Sequence, residues 1–389
     1  GVPEFLVFPT PYSAHEERTI ARVREVSQGK LWPRALGYHQ TGTFPTGAYK
    51  DLADTGLLGL TIPQKYGGKE LSPLAFTAAM LELGQGDPSV ANTTNMHFVV
   101  NWFLRELANA KQKAYFFPKV VNHGELFAAC TSEAEVRWDD PAGTVLTTTI
   151  KRLNDTEYVI NGKKWRTSMA HTASHYCVAA VLEGYATKEG LVIAMVPSNT
   201  PGITIHEDWP GPMMWSTDSC SIEFANCIIP ATHVIGKPGE LPESGLFVLF
   251  SLGYSALYLG IGLSGFLAFV REYGSRELDT IIGSMALELN RALTVLSEAV
   301  FAWEETDKEP ISLATAHAKA YCPKVAHKIL QQINNIVGKE KDPYHRLLVD
   351  AEAAWHMPPS PELVQARIGK ALRLDEAPTF LGFRSSSIS

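Results

Sequence analysis

Cysteine is scarce in this chain. Five residues, Cys130, Cys177, Cys220, Cys227 and Cys322, are spread over 389 positions with no C-x-x-C pair and no histidine at metal-ligand spacing. An odd, scattered set argues against a disulfide framework and against a structural zinc site, so the thiols are expected buried and reduced. His171 and His175 stand four apart, but their neighbours have strand character, where that spacing does not place two ligands on one helix face, and no metal site is expected. Basic blocks are absent too. The net charge of −7 is spread along the chain and leaves no electrostatic footprint for nucleic acid or an anionic membrane. Glycine-rich phosphate loops of Walker or Rossmann form are missing, as are internal repeats and low-complexity segments. Gly1-Val2-Pro3-Glu4-Phe5 has no basic residue ahead of an apolar run, so no secretory signal is expected and the cytoplasm is the expected location.

Long apolar stretches reduce to one, residues 246–270, interrupted by Ser251, Gly253, Tyr254, Ser255, Gly260, Gly262 and Ser264. A helix apolar all round is what the centre of a bundle demands, and the amphipathic pattern over residues 283–304 needs such a partner, so no membrane span is expected. What is present is an ordinary globular composition, 45% hydrophobic and 19% charged, sufficient for two or three domains. Helical periodicity runs through residues 14–122, with breaks at Pro45, Gly67-Gly68 and Asp87-Pro88. Short β-rich runs then occupy residues 144–150, 158–160, 176–182, 191–196 and 221–224, with turn chemistry at Asn161-Gly162 and Pro201-Gly202. Helical spacing returns after Gly239. The expected fold is α+β: an N-terminal helical domain (residues 1–124), a middle β-barrel-like domain (125–238) and a C-terminal four-helix bundle (239–389).

Two strings carry more than pattern. Cys130-Thr131-Ser132-Glu133 and Asn161-Gly162-Lys163-Lys164-Trp165-Arg166-Thr167 resemble the C-x-T-E-P-x-x-G-S-D and N-G-x-K-x-W-I-T motifs of the acyl-CoA dehydrogenase superfamily. Phe44-Pro45, the run from Gly56-Leu57-Leu58-Gly59 to Tyr66-Gly67-Gly68, Asp87-Pro88-Ser89-Val90 and His97 are similar to that family's N-terminal helical signature. Trp209-Pro210-Gly211, Thr217-Asp218-Ser219, Phe224 and Ile229-Pro230 resemble the end of its middle domain, and Ile368-Gly369-Lys370-Ala371-Leu372 its closing helix. The resemblance spans nearly the whole chain in order. It implies the family's fold, FAD as cofactor, a small-molecule substrate and a homodimer or homotetramer.

The same comparison exposes departures. Members that oxidise a thioester remove its α-proton with a glutamate, in many of them within Y-E-G-T. That position falls on Pro358, in His356-Met357-Pro358-Pro359-Ser360, and proline accepts no proton. Residues 253–259, where other relatives carry the base, hold no carboxylate. The R-x-x-F-G…Q loop that donates to the flavin phosphates is about ten residues short after Arg271, and the family's Gly-Gly pair reads Gly338-Lys339. Arg137 and Trp138 stand where the G-S-D pattern has small residues. FAD binding is therefore expected to be weakened or lost.

Arg166, Arg137 and Glu133 are the expected catalytic residues. Ser132, Trp138, Trp165, Thr167 and Trp215 are expected to line the substrate or cofactor cavity, with Thr167 in the place of the family's flavin-facing hydroxyl. The leading expectation is an enzyme acting on a small hydrophobic, non-CoA substrate without redox chemistry, by isomerisation, cyclisation or elimination in the vacated cavity. A flavin-dependent oxidoreductase with altered FAD contacts and a non-catalytic subunit of a hetero-oligomer are the alternatives. His97, between Met96 and Phe98 on a helix, is expected as a core histidine.

Overall fold

Six helices open the computed structural model: α1 (Ala14–Val26), α2 (Trp32–Thr41), α3 (Thr46–Asp54), α4 (Pro73–Gly86), α5 (Pro88–Leu107) and α6 (Ala110–His123). The structure describes residues 4–8, 12–134, 145–304, 308–338, 340–357 and 360–373. Local chemistry sets the helix starts. Ser13 and Glu16 form a reciprocal capping box on α1, and the Asp87 carboxylate accepts the Ser89 and Val90 amides of α5 while Pro88 occupies its first turn.

The middle of the chain forms one eight-stranded sheet from β1 (Phe127–Cys130), β2 (Thr149–Arg152), β3 (Glu157–Thr167), β4 (His175–Leu182), β5 (Leu191–Pro197), β6 (Ile203–His206), β7 (Cys220–Pro230) and β8 (Val234–Ile235), with a short helix α7 (Thr187–Gly190) before β5. The order is β6-β7-β3-β2-β4-β5-β8, and β1 also pairs with β4. β1 and β2 both lie parallel to β4, along different stretches of it. Ser132 and Glu133 follow directly on β1.

Asn161-Gly162 is not a turn. It lies inside β3, where the register against β7 shifts between Ile160 and Gly162, and the strand runs on as a bulge. Glycine is needed there because a Cβ would meet the Thr148 backbone at 2.6 Å. Strand pairing on both edges overrides the local turn preference.

The helical remainder consists of α8 (Glu240–Ser244), α9 (Val248–Tyr273), α10 (Asp279–Glu304), α11 (Lys308–Val337), α12 (Tyr344–Ala351) and α13 (Pro361–Arg373). α9 is long and apolar enough to cross a membrane, yet 89% of its apolar window is buried within the protein, against α4, α5 and α11. Its small residues permit this: a Cβ on Gly260 would fall 2.4 Å from the Leu81 carbonyl oxygen of α4. All five cysteines are buried free thiols.

Candidate functional site

A buried ion pair organises the face of the sheet that carries the two motif strings. Glu133 and Lys164 meet at 2.9 Å with side chains 6% and 0% exposed. The carboxylate also accepts the Thr147 and Thr148 amides, at 2.7 and 3.1 Å, and Lys164 donates to the Thr131 carbonyl at 3.3 Å. One charge pair thus ties the residues that follow β1 and those that precede β2 to β3. Burial alone would raise the Glu133 carboxyl; the Lys164 ammonium, its hydrogen bond and the backbone donors outweigh that and hold it at about 2. Glu133 is accordingly committed to holding the loop.

Next to this pair the Trp165 amide donates to the Ser132 carbonyl at 2.9 Å. A second register shift between Lys164 and Thr167, with Arg166 at φ 51°, leaves the successive side chains of Trp165 and Arg166 both half-buried. The guanidinium lies 4.2 Å from the Trp165 ring and 5.6 Å from the Trp209 ring. Trp209 in turn donates from Nε1 to the Trp215 carbonyl at 3.0 Å, and the Trp215 indole, 36% exposed, is held over Gly42 and Gly211. Trp165, Arg166 and Trp215 therefore share one ledge, with Trp209, which the motif reading places at the end of the middle domain and not in the site, as the link. Arg137 and Trp138 lie outside the described residues, as does Pro358.

Thr167 points the other way. It is 2% exposed, and its hydroxyl lies 3.2 Å from the Cys130 thiol inside the sheet. Ser168 is the hydroxyl that joins a polar chain, at 2.9 Å from Ser219, which is 2.7 Å from Thr217. Counting the eight positions of N-G-x-K-x-W-I-T from Asn161, with Lys164 on the motif lysine, puts Arg166 on the tryptophan, Thr167 on the isoleucine and Ser168 on the threonine. Inspection of the string alone favours Trp165 and Thr167 because their letters match; the buried pairing of Lys164 sets the count.

His97 is the core histidine expected: Nδ1 accepts the Phe127 amide and Nε2 donates to the Leu58 carbonyl, both at 3.0 Å, while burial lowers its pKa to about 4. His171 and His175 separate. His175 packs among Phe116, Phe127 and His233. His171 comes within ligand distance of Asp218 and Cys220. The Asp218 carboxylate is taken up by the His171 amide and Nδ1, each at 2.8 Å, and Nε2 pairs with Glu207, which accounts for the arrangement as an ion-paired turn.

A second polar cluster lies among the helices. Asp350 on α12, 2% exposed, accepts the Met214 amide at 2.9 Å and lies 3.5 Å from His39 Nδ1, and its charge, added to burial, helps push the Tyr258 phenol up. One helix further in, Lys319 of α11 is 1% exposed, with its Nζ 4.3 Å from the Tyr254 ring centroid and 5.9 Å from that of Tyr258. No hydrogen-bond acceptor answers the ammonium among the described residues, and burial lowers its pKa to about 7. The signal was a lysine on the apolar stripe that Thr315, Cys322 and Ala326 continue along α11.

Residues 13–124 match the profile of the acyl-CoA dehydrogenase N-terminal domain and residues 128–227 that of the middle domain, together more than half of the chain. Benzylmalonyl-CoA dehydrogenase of Aromatoleum aromaticum is 26% identical over 317 residues, covering 77% of this chain and 81% of that protein. Butyryl-CoA dehydrogenase from Megasphaera elsdenii has the same fold, with a TM-score of 0.83 at 20% identity over 94% of this chain and 100% of that one. So does TdsC, a dibenzothiophene monooxygenase of Paenibacillus sp. A11-2, in its complex with FMN and indole: the TM-score is 0.81 at 21% identity, over 92% of this chain and 98% of that one.

Proposed function

The chain belongs to the acyl-CoA dehydrogenase superfamily, and from that premise we propose that it is a flavin-dependent oxidoreductase of a small molecule, using FMN in place of FAD. The observation that carries this reading is the Glu133–Lys164 pair, which holds Ser132, Trp165 and Arg166 on one ledge. A flavin ring needs a flat partner and oriented donors along one edge. Trp165 and Arg166 offer the first; Ser132 and Ser168 stand at the motif positions for the second. FMN, when bound, would supply the electron chemistry. Arg166 would place a fixed positive charge where negative charge collects on reduction, and its indole neighbours would limit the access of water to it.

FMN is favoured over FAD by the short connection between α9 and α10, residues 274–278. The family's phosphate-donor loop belongs there, and TdsC, a neighbour in fold, is crystallised with FMN. Neither Pro358 nor residues 253–259 offer a carboxylate base, so the chemistry we infer does not include α-proton abstraction from an acyl-CoA. Titration with each flavin, followed by quenching of flavin fluorescence, tests this. FMN is expected to bind at least about tenfold tighter than FAD, a difference of roughly 1.4 kcal/mol. An anaerobic assay with acyl-CoA thioesters and an acceptor dye is expected to show no turnover. If neither flavin binds, the reading gives way to the non-redox cavity; if FAD binds more tightly, the loop argument fails.

The protein is further expected to self-associate as a homodimer or homotetramer through its C-terminal helices. Ile281, Leu287 and Phe301 on α10 are 41%, 53% and 41% exposed, an apolar surface that a partner copy would cover. A strictly monomeric mass by light scattering at micromolar concentration would remove this expectation.

A further inference from the structure

Lys319 is not the only buried polar group without an answer on α9 and the helices that pack against it, α5 and α11. Thr315 Oγ1, one turn before Lys319 on the same face of α11, has no hydrogen-bond partner among the described residues, and neither does Tyr258 Oη on α9. Both polar atoms of Asn92 on α5 are in the same state. Asn92 lies one turn from Met96, whose sulfur accepts from the Tyr254 hydroxyl at 3.5 Å, so its side chain shares the helix face turned to the tyrosines. Thr315, Tyr258, Asn92 and Lys319 are each 2% exposed or less. Every such group bears its full desolvation cost, and native interiors rarely collect several in one place unless something hydrogen-bonds to them.

The set has a chemical bias. It holds one cation, two hydroxyls and one carboxamide, flanked by the Tyr254 and Tyr258 rings, which lie 6.4 Å apart and nearly parallel. Asp350, the acid that bears on Tyr258, makes no contact with Lys319 that would neutralise it. A single positive charge with neutral donors matches a monoanion with two acceptor oxygens; a phosphate dianion would call for a second cation. The aromatic walls suit an apolar body.

We propose that Lys319, Thr315, Tyr258 and Asn92 form an interhelical site for the carboxylate of a small organic acid whose apolar body lies against Tyr254 and Tyr258. None of these four residues belongs to the ledge on the sheet, while Tyr254 and Tyr258 stand on the segment where other relatives carry the base, so acid binding is measured apart from flavin binding.

Isothermal titration of the full chain with benzoate and hexanoate, against benzamide and hexanamide, tests it just below pH 7. At least one of the two acids is expected to bind, one per chain, and the matching amide to bind roughly thirtyfold more weakly, as the loss of a charged hydrogen bond implies. Lys319→Met keeps the volume and is expected to abolish the preference for acid over amide. Thr315→Val and Tyr258→Phe each remove one donor and are expected to weaken the acid several-fold, so the test survives a misfolded Lys319 variant. Failure of both acids to bind the native protein overturns the proposal. So does equal binding of acid and amide, or undiminished acid binding by the Lys319, Thr315 and Tyr258 variants.

Discussion

Lys319→Met is expected to stabilise the protein by about 2 to 4 kcal/mol at pH 7, and the gain is expected to shrink as the pH rises toward 10.5. The amine has an ordinary pKa of 10.5 and is lowered to about 7 by burial in the fold. Protonation therefore favours the unfolded chain: the penalty is absent above pH 10.5, grows as the pH falls, and levels off below 7. The full span would amount to about 4 to 5 kcal/mol, from which attraction to the Tyr254 face recovers up to about 2. Methionine fills nearly the same volume and carries no charge into the core. Urea unfolding at pH 7 and pH 10 measures both parts. A variant no more stable than the native protein at pH 7 would show that the lysine is not held unpaired in the core, and with it the premise of the carboxylate site would go.

Lys164→Met has the opposite expected effect, a loss of about 3 to 5 kcal/mol, because it leaves the Glu133 carboxylate buried without its counter-ion. The pairing is worth little as a sum of desolvation and attraction, but breaking it from one side is costly. Adding Glu133→Gln to Lys164→Met is therefore expected to restore a large part of the loss, a coupling that a double-mutant cycle isolates. The pH dependence follows from the depressed carboxyl. Its contribution is present above the ordinary value of 4.5 and is lost as the pH falls through 4.5 toward about 2, so native and Lys164→Met proteins should converge in acid. A Lys164→Met cost below about 1 kcal/mol would mean that the pair behaves as an exposed one and is not what holds the ledge. The same variant is expected to weaken FMN, since Ser132 and Trp165 are tied together beside the pair.

Much of this molecule is legible along the chain. The order of helix, sheet and helix follows from hydrophobic period, and the bundle helix α9 follows from an apolar run broken by serine and glycine, because such signals are set by neighbours a few residues away. The motif strings located the ledge as well, since Glu133, Lys164, Trp165 and Arg166 occur in two short stretches. Their roles were less legible. Glu133 reads as a candidate acid until its lysine, 31 residues on, is seen buried against it. Thr167 reads as the flavin-facing hydroxyl until the bulge sets it against the Cys130 thiol and leaves the buried chain of hydroxyls to Ser168.

The sequence by itself determined the family, the order of the elements and the absence of a carboxylate at either expected base position, because each of these is a property of residue type at a position. Only the tertiary structure decided that Asn161-Gly162 continues a strand and that Lys319 stands without a counter-ion among the described residues. The physical reason is the same for both. Thr148, just before β2, presses on Gly162, and Tyr254 and Tyr258 of α9 flank Lys319 of α11 from some sixty residues away, so pairing and desolvation there depend on contacts that no local window contains.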